Sequence, residues 1–152
     1  MPNNWLSVPH FEQSVDGACL PACARMVTAF WGEQFSEATL AFLLNTKRSG
    51  TPLFNIKQLE NIGYKITVTS LTQKELETYI DQGQPVIARV WTTMLDLDTP
   101  SASHVVVVVG YDNEFVYLND PAFYAHHRPV LWDAFLAAWA EYDEISVIIA
   151  RA

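Results

Sequence analysis

Cysteines and positive charges are scarce in this chain of 152 residues. It contains two cysteines, and nine lysine or arginine residues against seventeen aspartate or glutamate residues, for a formal net charge of −8. A surface with this balance repels nucleic-acid phosphates, and no basic cluster offsets it, so binding to nucleic acid is not expected. The longest fully apolar run, VVVVV at 105–109, is too short to span a bilayer and predicts a buried strand instead.

An export signal is also missing from the sequence. The first residues, MPNNWLSVPHFEQ, include neither a basic start nor a long apolar stretch. With two cysteines and no signal, we expect free thiols and a cytoplasmic location. Half of the residues are hydrophobic, which suffices for a core, and the length fits one domain over residues 1–152.

Helix signals dominate the first half of the chain and strand signals the second. Ser36 is typical of a helix N-cap, Thr72 and Glu75 have the spacing of a capping box, and Thr51 before Pro52 indicates another helix start. This order predicts an α+β fold, with an N-terminal helical half packed on an antiparallel sheet that the last strand closes. Helices are predicted at 20–32, 36–45, 51–63, 72–83 and 132–142, and strands at 64–70, 85–93, 103–112, 114–120 and 145–151.

Cys19 lies at the start of the first predicted helix, where unpaired N–H groups and the helix dipole lower the pKa of a thiol. A nucleophilic thiol further needs a base, a group that orients the base, and donors for the developing oxyanion. Cys23 lies one turn inside the helix among alanines, which favours a small buried residue. A zinc site that combines both cysteines with His126 and His127 fits no common ligand spacing.

Of the four histidines, His104 is the best candidate for the base. It opens the most hydrophobic strand, whereas His10 lies in the N-terminal segment and His126 and His127 lie in a polar, solvated loop. A hairpin centred at position 112 makes His104 and Asp120 direct cross-strand partners, with Cβ atoms about 5 Å apart. This pairing supplies both the base and its orienting carboxylate.

Gln13 stands six positions before Cys19. An amide at that distance can swing back beside the thiol and donate an N–H group to an oxyanion. The backbone N–H of Cys19 is then the second donor. The four residues together indicate nucleophilic acyl chemistry.

Three segments resemble one peptidase family. VPHFEQSVDGACLPACARMV, SHVVVVVGYDNEFVYLNDP and FLAAWAEYD are similar to the motifs of the cysteine peptidases that trim double-glycine leaders from bacteriocin precursors, and of their stand-alone relatives. In that family a Gln stands six residues before a Cys, a His opens a strand, and an Asp-Pro pair follows the next strand. The resemblance covers nearly the whole chain and implies a papain-like fold.

The resemblance assigns a role to each candidate residue. It implies that Cys19 is the nucleophile, His104 the general base, Asp120 the orienting group and Gln13 the oxyanion donor, with no cofactor and no metal. The family usually has glycine after the nucleophile, whereas this chain has Leu20, whose side chain could narrow the site beside the oxyanion hole.

The implied partner is a peptide with small residues before the cut, such as a Gly-Gly leader. Two alternatives stay open at this point. The chain could be a binding module that holds a peptide without cleaving it, a reading that Leu20 favours. The same catalytic set also supports deamidation or amide transfer on a protein substrate.

Overall fold

The computed structural model describes residues 5–95 and 102–152. A six-stranded antiparallel sheet forms its centre, and in those two ranges no helix is long and apolar enough to cross a membrane. The helices are α1 (Cys19–Phe30), α2 (Glu37–Leu43), a 3-10 helix (Leu53–Ile62), α3 (Gln73–Asp81), α4 (Thr92–Leu95) and α5 (Trp132–Ala140). The strands are β1 (Tyr64–Ser70), β2 (Val86–Trp91), β3 (Ser103–Tyr111), β4 (Phe115–Asn119), β5 (Arg128–Leu131) and β6 (Ile145–Arg151), in the spatial order β1-β6-β2-β3-β4-β5.

The central strand β3 has apolar cores on both of its faces, which explains its continuous run of valines. Because side chains alternate along a strand, Val105 and Val107 join the core that includes Met26 of α1. Val106 joins the opposite core, which includes Trp139 of α5. The buried strand and the helix carrying Cys19 are therefore packed directly against each other.

Two of the helix starts predicted from local signals are confirmed. Ser36 caps α2 by accepting a hydrogen bond from the backbone N–H of Thr39 at 3.0 Å. Thr72 and Glu75 form the expected reciprocal capping box at the start of α3. These caps join residues that are three positions apart in sequence, so they form independently of the tertiary structure around them.

Two predictions for single segments need correction. The helix predicted over 51–63 is present and ends at Gly63 as expected, but it is a 3-10 helix with Pro52 at its N-cap, and the hydroxyl of Thr51 contacts that of Thr46 at 2.6 Å. The strand predicted to run through Thr92 and Thr93 ends at Trp91, and both threonines belong to α4.

The order of the strands also differs from the prediction. The last strand, β6, lies inside the sheet between β1 and β2 and does not close it. One edge is formed by β5, which is not among the predicted strands. Its four residues include Pro129, and proline is tolerated at a sheet edge because it has no N–H group to donate.

The register of the β3–β4 hairpin corrects the predicted pairing of His104 with Asp120. Val107 lies opposite Asn119, and the register shifts by one residue between Val108 and Gly110. His104 and Asp120 are consequently not direct cross-strand partners. The two side chains are nevertheless in contact, through a hydrogen bond between the His104 ring and the Asp120 carboxylate.

Candidate active site

Cys19 is the first residue of α1, where the helix presents backbone N–H groups that have no partner within the helix. Ala18 caps this helix without a side-chain hydrogen bond, and no acidic residue lies in its first turn. The positive end of the helix dipole is therefore left to favour a negative charge on the Cys19 sulfur.

His104 lies between Cys19 and Asp120. Its Nε2 is 2.7 Å from Oδ1 of Asp120, and both residues are buried, with exposed fractions of 8% and 2%. The imidazole is also hydrogen-bonded to the thiol of Cys19. Because Asp120 occupies Nε2, the other ring nitrogen, Nδ1, is left for the sulfur. The three side chains thus form one hydrogen-bonded line.

In this site the pKa of the Cys19 thiol is lowered and the pKa of the His104 imidazole is raised. Burial raises the pKa of Cys19, but the hydrogen bond and charge of His104, with backbone hydrogen bonds from Val105 and Leu20, outweigh burial and lower it. Burial lowers the pKa of His104, but hydrogen bonds to Asp120 and Cys19 and their charges raise it to about 9. Both shifts favour the charged pair, a thiolate beside an imidazolium.

Cys23 has the opposite environment, as expected for a small core residue. It is fully buried, and its sulfur lies 3.5 Å from the backbone oxygen of Val105. Burial, together with the charges of Cys19 and Asp120, raises the pKa of Cys23 well above its usual range. Both cysteines are free, but only Cys19 has a lowered pKa.

Gln13 lines the same cleft as Cys19 and His104. Its side-chain nitrogen donates to the carbonyl oxygen of Val15 at 3.0 Å. An amide nitrogen carries two N–H groups, so this bond leaves one for a group bound in the cleft. Its side-chain oxygen is buried and has no hydrogen-bond partner among the described residues, so the amide is not locked by two bonds.

The other three histidines lie together beside the loop before β5. Nε2 of His10 is 2.7 Å from the carbonyl oxygen of Phe123, and the Nδ1 atoms of His126 and His127 are 3.1 Å apart. Both His126 and His127 lie in a loop, as predicted, and His126 is exposed, but the ring of His127 stacks on Trp5 with 4.6 Å between centroids and is half-buried. Within the described ranges, no cluster of three or more potential ligands could hold a metal ion, which leaves the zinc alternative without support.

A cleft of about 530 Å³ opens beside the Cys19 sulfur. Backbone and small side chains form the wall that lies next to the start of α1. The carbonyl oxygen of Arg48 lies so close to Gly17 that a Cβ there would be 2.7 Å from it. That wall includes Gly17, Ser49, Gly50 and Thr51.

The sequence profile of the Peptidase_C39 like family matches residues 5–147. This chain belongs to the C39-like peptidase family. The match includes Cys19, His104, Asp120 and Gln13 within its range. No curated protein sequence shows a significant match.

Solved structures of C39-like peptidases share the fold. A protein from Bacillus anthracis assigned to the C39-like peptidases has a TM-score of 0.81 at 20% identity, over 99% of both chains. The peptidase domain of Streptococcus ComA, a bifunctional ABC transporter of a quorum-sensing pathway, has a TM-score of 0.77 at 21% identity, over 99% of this chain and 100% of that one. A double-glycine motif protease from an AMS/PCAT transporter, in complex with the leader peptide, has a TM-score of 0.75 at 18% identity, over 100% of this chain and 97% of that one. The α+β, papain-like fold expected from the sequence is therefore confirmed.

Leu20 is the point at which this C39-like chain departs from the usual sequence pattern. Its side chain is only 2% exposed and belongs to the core that also includes Val8 and Met26. The leucine therefore packs into the core although it borders the cleft. Its backbone hydrogen bond to the Cys19 sulfur is retained.

Sequence reasoning missed two contributors to this C39-like site. Arg128, to which the sequence analysis gave no role, lines the cleft and lies 3.7 Å from Asp120. The backbone N–H of Val105 contacts the Cys19 sulfur. No local signal marks either one, since a backbone donor is independent of residue type and an arginine beside two histidines is typical of many surface loops.

Proposed function

We propose that this chain is a cysteine peptidase that forms a single domain and cleaves peptide bonds through Cys19, His104 and Asp120. The observation that carries the proposal is the hydrogen-bonded line from the Cys19 sulfur through His104 to the buried carboxylate of Asp120. A thiolate is the attacking form of cysteine, and the lowered pKa of Cys19 increases the fraction of thiolate.

The reaction follows from these positions. The Cys19 thiolate attacks the carbonyl carbon of the scissile bond, and the resulting oxyanion accepts hydrogen bonds from the Gln13 amide and the Cys19 backbone N–H. His104, held by Asp120, donates its proton to the leaving amine. Water, deprotonated by His104, then attacks the thioester and releases the second product, which regenerates the thiol.

The substrate is proposed to be a peptide with small residues before the cleaved bond. The wall next to Cys19 includes Gly17 and Gly50, where the absence of a side chain lets the backbone of a bound peptide approach closely. A related double-glycine protease has been solved with its leader peptide bound in the complex. A peptide with Gly-Gly before the cut is therefore the first substrate to test.

An alkylating probe tests the chemistry without knowledge of the substrate. Iodoacetamide should label Cys19 at neutral pH at least about tenfold faster than a free cysteine, and His104→Ala should remove that advantage. Labelling at the rate of a free thiol that is unchanged by His104→Ala would instead indicate a non-hydrolytic binding module.

Product analysis then separates the reactions that share this catalytic set. Peptides with Gly-Gly or Gly-Leu before a fluorogenic leaving group should be cleaved at different rates, with Gly-Gly preferred. Fragments identified by mass spectrometry support a peptidase. An intact protein substrate that gains about 1 Da at a glutamine would point to deamidation instead, and would contradict the proposed peptidase activity.

A further inference from the structure

The carboxylate of Asp120 is held from two sides. Its Oδ1 accepts hydrogen bonds from Nε2 of His104 at 2.7 Å and from the backbone N–H of Ala122 at 2.9 Å. Its Oδ2 faces Nη1 of Arg128 at 3.7 Å. A partial rotation of the carboxylate about its last side-chain bond would move Oδ1 away from His104 and weaken the bond between them.

Arg128 is itself fixed in position. It is the first residue of β5 and pairs with Leu118 of β4, so its backbone belongs to the sheet. Its guanidinium carbon lies 4.2 Å from the centroid of the Phe123 ring, a cation–π contact. The carbonyl oxygen of Phe123 is bonded in turn to His10, which ties the loop to the N-terminal segment.

The contact between Arg128 and Asp120 is not explained by a contribution to the free energy of folding. The side chain of Arg128 is 21% exposed, and the distance to Asp120 is longer than a hydrogen bond. Ion pairs that are partly open to water contribute little to folding. Arg128 lies in the wall of the cleft, behind the carboxylate that orients His104. Its contact with Asp120 can therefore affect the catalytic site more than the stability of the fold.

We propose that Arg128 is a positioning residue, which holds Oδ2 of Asp120 so that Oδ1 stays bonded to His104. Its effect on the reaction rests on the peptidase function proposed above. Its effect on the proton of His104 does not, because that proton is held in the free protein as well.

Arg128 can change the pKa of His104 in two ways, and the two effects have opposite directions. As a nearby positive charge, it disfavours the imidazolium, so its removal would raise the pKa of His104. As a positioning residue, it preserves the bond from Asp120 that stabilises the imidazolium, so its removal lowers that pKa. The charged groups that contact His104 directly are Cys19 and Asp120, and His10 reaches the same loop through Phe123.

The test compares Arg128→Met with Arg128→Lys. Arg25→Met is the matched control, because the guanidinium of Arg25 lies 3.9 Å from the Phe11 ring and neither residue lines the cleft. For each protein, the rate of Cys19 alkylation by iodoacetamide is measured from pH 5 to 10, and the His104 ring is titrated by NMR. Thermal unfolding reports whether the variants are folded.

For Arg128→Met, the His104 titration should move to lower pH by about one unit, with kcat for a Gly-Gly peptide about tenfold lower and KM little changed. Arg128→Lys should recover part of both losses, and Arg25→Met should behave like the wild type. A titration that moves to higher pH, or does not move in a folded variant, would overturn the positioning role. If the wild type alkylates as a thiolate–imidazolium pair but cleaves no peptide, the peptidase proposal fails while the NMR titration still decides the role of Arg128.

Discussion

The backbone N–H of Gln13 donates a hydrogen bond of 2.8 Å to the carbonyl oxygen of Pro121. Pro121 directly follows Asp120, so this bond ties the loop that precedes Cys19 to the turn that carries the orienting carboxylate. The two walls of the cleft are therefore linked through main-chain atoms. A change in the Gln13 side chain leaves that link in place and alters only what the amide contributes.

Replacing Gln13 by alanine should separate oxyanion stabilisation from thiol activation. We expect kcat/KM for a peptide to fall about 100- to 1,000-fold, because a donor to the oxyanion is lost, while alkylation of Cys19 by iodoacetamide stays within about twofold. The alkylation passes through no oxyanion. Gln13→Met is the matched variant, since it keeps the length of the side chain and removes the N–H groups without adding a charge, and it should behave like Gln13→Ala. A parallel fall in both rates would show that Gln13 positions the thiol.

The activity should depend on pH in a bell shape. Activity requires the thiolate, which forms as the pH rises through the lowered pKa of Cys19, and it requires the imidazolium, which is lost as the pH rises through a pKa of about 9 at His104. The plateau should therefore begin above the lowered pKa of Cys19 and end near pH 9. A profile of kcat/KM measures both limbs, and a basic limb near the ordinary histidine pKa of 6.5 would contradict the ion pair.

Asp120→Asn should move that basic limb. The amide can still accept a bond from His104, but the negative charge that stabilises the imidazolium is gone, so the pKa of His104 should fall. We expect the basic limb to shift to lower pH and kcat/KM to drop about 10- to 100-fold, whereas Asp120→Ala should lose more. An unchanged basic limb in folded Asp120→Asn would count against the orienting role.

Cys23→Ala provides the control for the thiol chemistry. The Cys23 sulfur is fully buried against Val105, and its pKa is raised, so it should take no part in labelling or cleavage. We expect unchanged labelling at Cys19 and a stability loss of about 1 kcal/mol from the vacated volume, measured by urea unfolding. In Cys19→Ala the labelling should vanish, and residual rapid labelling there would identify Cys23 as the reactive thiol.

Gly17→Ala should damage both stability and the cleft wall. Gly17 has a φ of +84°, and an added Cβ would lie 2.7 Å from the Arg48 carbonyl oxygen. Gly83 has a φ of +82° with nothing within 4 Å, so Gly83→Ala carries the same backbone cost without the clash. We expect about 1 kcal/mol of destabilisation for Gly83→Ala and about 1–3 kcal/mol more for Gly17→Ala. Equal unfolding free energies in the two variants would rule out the steric contribution.

The β3–β4 hairpin shows why its register could not be derived from the sequence. The prediction centred the turn at position 112, but Tyr111 lies opposite Val116, so the turn is centred between residues 113 and 114, and the ladder also shifts between Val108 and Gly110. At that point the backbone oxygen of Val109 accepts a hydrogen bond from Leu6, and Trp5 forms a bridge with Gly110. The irregularity thus coincides with a contact to a segment far away in sequence. The predicted proximity of His104 and Asp120 was correct, although the predicted pairing was not.

The strand β5 was not predicted because its own residues carry no clear strand signal. It has four residues, carries Pro129, and pairs on one side only, so neither length nor alternation distinguishes it from a loop. Its position beside β4 is what brings Arg128 to Asp120. A residue whose neighbours are set by strand pairing has no local pattern that reveals its role.

The sequence by itself determined the helix starts, the buried central strand and the location of Cys19 at a helix N-terminus, because caps, periodicity and the helix dipole act over a few neighbouring residues. Only the tertiary structure decided that His104 contacts both Cys19 and Asp120, and that Arg128 lies behind the carboxylate. These contacts join residues from separate elements, and their distances depend on strand order, a shifted register and packing. Such features arise only when the whole chain has buried its apolar surface.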